Sequence, residues 1–247
     1  MIIKLNIEYD GSNYVGWQSQ LNGKSIQGEI EKSLIKIFKR KIPLYVAGRT
    51  DAGVHALDQV AHFEIDGGID IDPKKLCMAI NYYLGKHNQI IITKSSKENL
   101  KFHSRFSASE RIYLYKIFNR RIPSPLVKTR NWFVPQRIDI NLIQSASDIL
   151  IGTHDFNSFR STACQSKNSI RTIKQIEVKK SGYEITLKFS AKSFLHNQVR
   201  IVVGSLVNVG RKFWKKEKIK EILDEKDRSV AGPTAPAHGL YLKKIIY

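Results

Sequence analysis

Cysteine is nearly absent: Cys77 and Cys164 are the only two in 247 residues. That excludes a disulfide-stapled scaffold, and their spacing does not suit a zinc site. Carboxylates are scarce as well. Only 22 Asp and Glu oppose 41 Lys and Arg, a formal net charge of +19, and such a balance points to a polyanionic partner, nucleic acid ahead of a membrane surface. The alternative is that the lysines merely solvate the surface of a Lys- and Ile-rich protein. No apolar run approaches the roughly 18 residues of a spanning helix. Residues 1 to 10 alternate like a strand rather than a signal peptide, so a cytoplasmic protein without a membrane partner is expected. There is no Walker loop, and no Gly-x-Gly-x-x-Gly follows the first strand, so no nucleotide cofactor is signalled. No His, Cys and carboxylate cluster has metal-ligand spacing, and neither cysteine has a neighbour suited to thiol catalysis. An enzyme of this make-up works with side chains alone.

The chain is long enough for one large domain or two ordinary ones. Ile3, Leu5, Ile7 and Tyr9 recur at period two, and Asp10-Gly11-Ser12-Asn13 breaks that strand. From Ser25 onward, Ile26, Ile30, Leu34, Ile37 and Phe38 mark one face of a helix that ends before Pro43. Strands are predicted at 44 to 48 and from Gln59 to Ile65, the second closed by Asp66-Gly67-Gly68. Asp72 and Pro73 cap and open a helix running to Gly85, and Ile90 to Thr93 forms another strand. This β-α-β-β-α-β order is the ferredoxin-like split motif. The second half repeats it with a strand at 111 to 118, a helix at 139 to 151, and strands near 171 to 179 and 183 to 190. A helix at 193 to 209, a short basic helix at 215 to 225 and a strand at 239 to 246 follow. The division is expected as 1–107 and 108–247. With no Gly/Ser-rich linker between them, the two halves are expected to join their sheets edge to edge.

Residues 46 to 56 read Val-Ala-Gly-Arg-Thr-Asp-Ala-Gly-Val-His-Ala. Asp51 is the centre of interest, because an aspartate is ionised near neutral pH and can act as a nucleophile without an activating base. Thr-Asp-Ala-Gly is also ordinary turn composition. Arg49 and His55 make the loop dense in groups that touch phosphate, base and carboxylate; for His55 the competing reading is a packed, hydrogen-bonded ring. Aromatic and basic residues interleave elsewhere as on RNA surfaces: Tyr14 with Trp17, Phe102 to Phe106 around Arg105, then Arg111, Tyr113 and Tyr115. Core packing is the alternative for Tyr113, and plain exposure for Arg105. Arg200 borders the apolar Ile201, Val202, Val203 and Leu206, where a cation needs a carboxylate partner. Asp51 is a candidate if the halves meet across a cleft.

These residues resemble the tRNA pseudouridine synthase A family. The matching motifs are Asp10-Gly11-x-x-Tyr14-x-Gly16-Trp17-Gln18, Ile26-Gln27-Gly28-Glu29 and Gly48 to Ala56, then Phe102-His103-x-Arg105-Phe106-Ser107 and Arg111-x-Tyr113-x-Tyr115. Gly152-x-His154-Asp155-Phe156, Phe194-Leu195-His196-x-x-Val199-Arg200 and Gly239-Leu240-Tyr241 carry the match to the C-terminus in the same order. The resemblance implies isomerisation of uridine to pseudouridine at positions 38, 39 and 40 of the tRNA anticodon arm, without cofactor or metal, by a homodimer. It implies an α+β fold of two ferredoxin-like halves forming one extended, mostly antiparallel sheet with a central cleft. Asp51 inherits the role of nucleophile, adding to uracil C6 or acting at the ribose through a glycal. Tyr113 would stack on the flipped uracil, Arg200 would pair with Asp51, and Arg49 would fill the space the base vacates. Arg105 and His55 complete the implied substrate-binding set. Gln198, Ser104 and Gly85 depart from the methionine, alanine and proline common in the family. Two rivals predict other outcomes: a non-catalytic RNA-binding module would make no product, and a hydrolase using Asp51 with His55 would release free base or cleaved RNA.

Overall fold

The computed structural model describes residues 1–20, 23–66, 72–86 and 89–247. The elements run β1 (Ile2–Tyr9), α1 (Ile26–Phe38), β2 (Tyr45–Val46), β3 (His55–Glu64), α2 (Pro73–Leu84), β4 (Ile90–Glu98) and β5 (Glu110–Asn119). They continue through β6 (Trp132–Val134), α3 (Ile140–Asp148), β7 (Gly152–Asp155), β8 (Ile170–Ser181), β9 (Glu184–Ala191), α4 (Gln198–Gly210), α5 (Lys218–Glu225) and β10 (Leu240–Ile246). The class is mixed α+β with mostly antiparallel pairing, as the sequence predicts. Two compact units form, one of Met1–Ser109 with Tyr241–Tyr247, the other of Glu110–Leu240.

In the first unit the strand order is β4-β1-β3-β10, with β2 also on β3. All pairs are antiparallel except β10, which runs parallel to β3 with Tyr241 opposite His55. Ile3, Leu5 and Ile7 are wholly buried, as their period of two requires. The Ser25 hydroxyl accepts the Gly28 N–H at 3.1 Å to start α1, which buries Ile26, Ile30 and Leu34 on one side. Asp72 caps α2 through the Lys74 N–H, Pro73 opens it, and Gly85 ends it at φ +88°. The strand predicted over 44 to 48 shortens to two residues. Ala47 still donates to Val60 O, but the carbonyl of Gly48 is taken by the Gln59 side chain at 2.8 Å, which replaces the next ladder bond. The Gly67-Gly68 turn lies outside the described residues.

In the second unit the order is β5-β9-β8-β7, with β6 parallel to β5. Asp139 caps α3 through the Asn141 and Leu142 N–H groups. The helix predicted to 151 ends at Asp148, and Gly152 at φ +106° opens the unpredicted β7. The helix predicted from 193 starts only at Gln198. Asn197 before it is left-handed at φ +61°, and the Leu195 N–H is taken by Gln198 Oε1 at 2.8 Å. Apolar residues on nearly every side of α4 are buried, with α3 against one flank. Gly204 on α4 lets the Pro233 carbonyl approach so closely that a Cβ there would lie 1.8 Å from it. The Pro-rich segment 232–239 is thereby laid along α4. Among the described residues no helix is long and apolar enough to cross a membrane.

Candidate active site

Asp51 sits half-buried on a turn between β2 and β3 that is tied at several points. The Val54 N–H donates to the Asp51 carbonyl at 3.2 Å, and Gly53 supplies φ +77°. On one side of Asp51, Thr50 is buried; its hydroxyl lies 2.7 Å from the Tyr9 hydroxyl, and its carbonyl accepts the Trp17 N–H at 3.0 Å. Gly16 crosses the same turn at φ +105°, and a Cβ there would be 2.7 Å from Thr50 O and 3.1 Å from Ala52 N. Gly16 and Trp17 also accept from Ile26 and Gln27, so one strap joins the start of α1 to the turn. A second strap is Asp10-Gly11, where a Cβ on Gly11 would lie 2.0 Å from Val54 O.

His55 is buried at 3 % exposure and stacked on Tyr241, ring centroids 4.7 Å apart. Its Nδ1 is 3.1 Å from both the Gly11 nitrogen and Asp10 Oδ1. The neutral ring accepts the Gly11 N–H; a protonated ring would donate to Asp10 instead. Either way the imidazole holds the Asp10-Gly11 strap. Arg49 is exposed beside the turn. Arg105 is also exposed, its guanidinium 5.6 Å from the centre of the Phe106 ring. Trp17, expected with Tyr14 on an RNA-facing surface, is instead fully buried against Tyr9 at 6.1 Å between ring centroids. Holding the strap requires its backbone inside the unit, and the indole follows.

Behind the Phe102 to Phe106 segment lies a buried network. The Ser104 hydroxyl donates to Tyr45 O at 2.9 Å and lies 2.9 Å from His62 Nδ1. Burial and the neighbouring His103 push the His62 imidazole below its usual pKa, against a smaller upward effect of Glu64 and the Tyr45 carbonyl. Protonation of His62 is therefore disfavoured.

In the second unit Tyr113 and Tyr115 share one face of β5 but have different surroundings. Tyr115 is fully buried; its hydroxyl donates to Pro236 O at 2.8 Å, and Gly239 leaves room for the ring. Burial pushes its phenol well above the usual value, with the Arg200 charge pulling the other way. Tyr113 is half-buried, with Phe194 edge-on at 5.3 Å. Arg200, in the first turn of α4, donates through Nε to Ala235 O at 2.7 Å and through Nη1 to Asn197 Oδ1 at 2.9 Å. Its own carbonyl accepts the Ala235 N–H at 3.1 Å. Asn197 and the 232–239 segment thus aim the guanidinium. Sequence reasoning passed over both; the only signals were the Gly-Pro-Thr-Ala-Pro run and an Asn before an apolar helix.

In the first unit Asp51 is thus pinned on a strand connection, and in the second Arg200 is clamped while Tyr113 stays partly open, on a chain of charge +19. A family model described as tRNA pseudouridine synthase matches residues 6–107 and 146–247, spans that contain Asp51 and Arg200 but not Tyr113. Proteins named tRNA pseudouridine synthase A from Ehrlichia canis, Neorickettsia sennetsu and Ehrlichia chaffeensis are each 46 % identical to the chain, with 100 % of both sequences covered. The chain belongs to the tRNA pseudouridine synthase family, isomerases that convert uridine to pseudouridine in tRNA.

Proposed function

We propose that the protein isomerises uridines 38, 39 and 40 of the tRNA anticodon arm in the cytoplasm, as a homodimer, with Asp51 as nucleophile and no cofactor. The N1–C1′ bond breaks, the retained uracil turns, and a C5–C1′ bond forms. C5 gives up its proton and N1 ends with one, so atoms balance. The observation that carries the reading is the double strapping of the Asp51 turn by Gly16-Trp17 and Asp10-Gly11. It fixes the backbone of a side chain that still reaches solvent, the preorganisation a nucleophile needs.

Tyr113 stacks on the extruded uracil, and Arg200, its guanidinium held by Asn197 and Ala235, belongs to the same substrate-binding set. Arg49 takes the space the base leaves, which offsets part of an extrusion cost of about a few kcal/mol. Arg105 meets phosphate, and His55 supports the site from behind the turn. The test is to map pseudouridines in the tRNAs of a strain lacking the protein, with wild-type and Asp51→Ala genes restored separately. The expected result is loss at positions 38, 39 and 40 that only the wild-type gene repairs. Loss at other positions would refute the specificity, and repair by Asp51→Ala would refute the nucleophile.

A further inference from the structure

Past the C-terminal end of α4, the chain makes a tight turn that serves none of the roles above. The Phe213 and Trp214 N–H groups both donate to Asn208 O, at 2.9 and 3.1 Å, and the Lys212 N–H donates to Val209 O at 2.8 Å. This fixed backbone presents Phe213 at 73 % exposure, its ring 6.4 Å from that of Trp214 and inclined to it by 26°. Leaving such a ring in water forgoes the gain of burying it, so a pair held out this way marks a contact surface. Arg211, Lys212, Lys215, Lys216 and Lys220, close by in the chain, are all exposed, and among the described residues no ion pair engages them. A groove of about 530 Å³ runs beside the rings, lined by Phe213, Trp214, Lys215, Lys218, Glu217 and Glu221. Lys218 is tied to Glu221 at 2.9 Å. Arg200 lies at the other end of α4, about 15 Å away along the helix axis.

The geometry points to a second RNA contact here: a stacking platform that takes an unpaired base of the tRNA on Phe213, with flanking phosphates on Lys212, Lys215 and Lys216. The charge selects the occupant. An apolar protein partner would have to bury these cations unpaired, whereas a polynucleotide supplies both a π-face and anions. Glu217 is placed to accept from an exocyclic amino group of a bound base. The proposal rests on tRNA being the substrate, and it adds a site that contributes to binding and not to the chemical step.

The test uses the full chain and a complete tRNA transcript. Kd is measured by filter binding, and turnover is measured separately, for Phe213→Ala and for Lys215→Gln with Lys216→Gln. The expected result for Phe213→Ala is an affinity about tenfold lower, with KM raised to match and kcat within twofold. The lysine variant should flatten the dependence of log K on log salt by roughly 0.7 to 0.9 for each phosphate it no longer neutralises. Kd and salt slope unchanged in both variants would overturn the platform. So would a dimer that dissociates in Phe213→Ala while tRNA affinity holds, because the rings would then serve a protein contact. A wild-type protein that makes no pseudouridine, yet loses tRNA affinity in Phe213→Ala, would sink the proposed function and leave the platform standing.

Discussion

Replacing Gly16 by alanine isolates what the strap does for the nucleophile. At φ +105° any L residue is strained, and the new Cβ would lie 2.7 Å from Thr50 O where ordinary contact begins at 3.4 Å. The excess is roughly 0.7 Å, the difference of those two distances, and it falls on backbone that cannot rotate away. Strain and overpacking together should cost about 1 to 3 kcal/mol of stability. Because Thr50 and Asp51 are the groups displaced, the chemical step should suffer more than the fold. A misplacement of about 1 Å costs on the order of a hundredfold, so a slowing of at least about tenfold is expected. Gly85→Ala is the control, since it meets comparable strain at φ +88° with nothing within 4 Å of the added methyl. The assay is single-turnover release of tritium from C5 of labelled uridines in tRNA, beside thermal melts of both variants. A folded Gly16→Ala protein with the wild-type rate would refute the reasoning, as would equal slowing of Gly85→Ala.

Two further outcomes follow from other parts of the structure. The His62 imidazole is held below its usual pKa of 6.5 by burial and by His103. In acid the unfolded chain takes up the proton first, so the contribution of His62 to stability should be constant well above pH 6.5 and fall as pH drops through that value towards the depressed native one. Denaturant titrations should show His62→Gln with a shallower acid loss; an unchanged profile would contradict the assignment. Tyr115→Phe removes the donor to Pro236 O at 2.8 Å, a loss of about 0.5 to 1.5 kcal/mol and a melting temperature lower by roughly 1 to 6 °C. A variant melting with the wild type would show that the bond does not hold the 232–239 segment.

Most of the architecture is legible in the sequence because local signals and burial agree. The periodicities of β1, α1 and α2, with Asp72 and Pro73 opening α2, put those elements where patterning predicts them. What is hidden depends on distant partners. Nothing in Leu240–Ile246 says that it runs parallel to β3, and the short β6 and β7 exist only as additions to longer strands. The shortened β2 reflects a side chain, Gln59, substituting for backbone. At the site, Asp51 stands out from its neighbours in sequence, whereas the packing that fixes it, through Gly11, Gly16 and the buried Trp17, appears only in three dimensions. Trp17 shows the limit clearly: an aromatic beside a loop reads the same whether it faces RNA or the core.

The central claim is that the Asp51 carboxylate itself attacks, and Asp51→Asn tests it with the least change in shape. Product analysis by nucleoside chromatography after incubation with tRNA, paired with a binding titration, should show no pseudouridine and an affinity within a few-fold of wild type. Pseudouridine formed at the wild-type rate by Asp51→Asn would contradict the account.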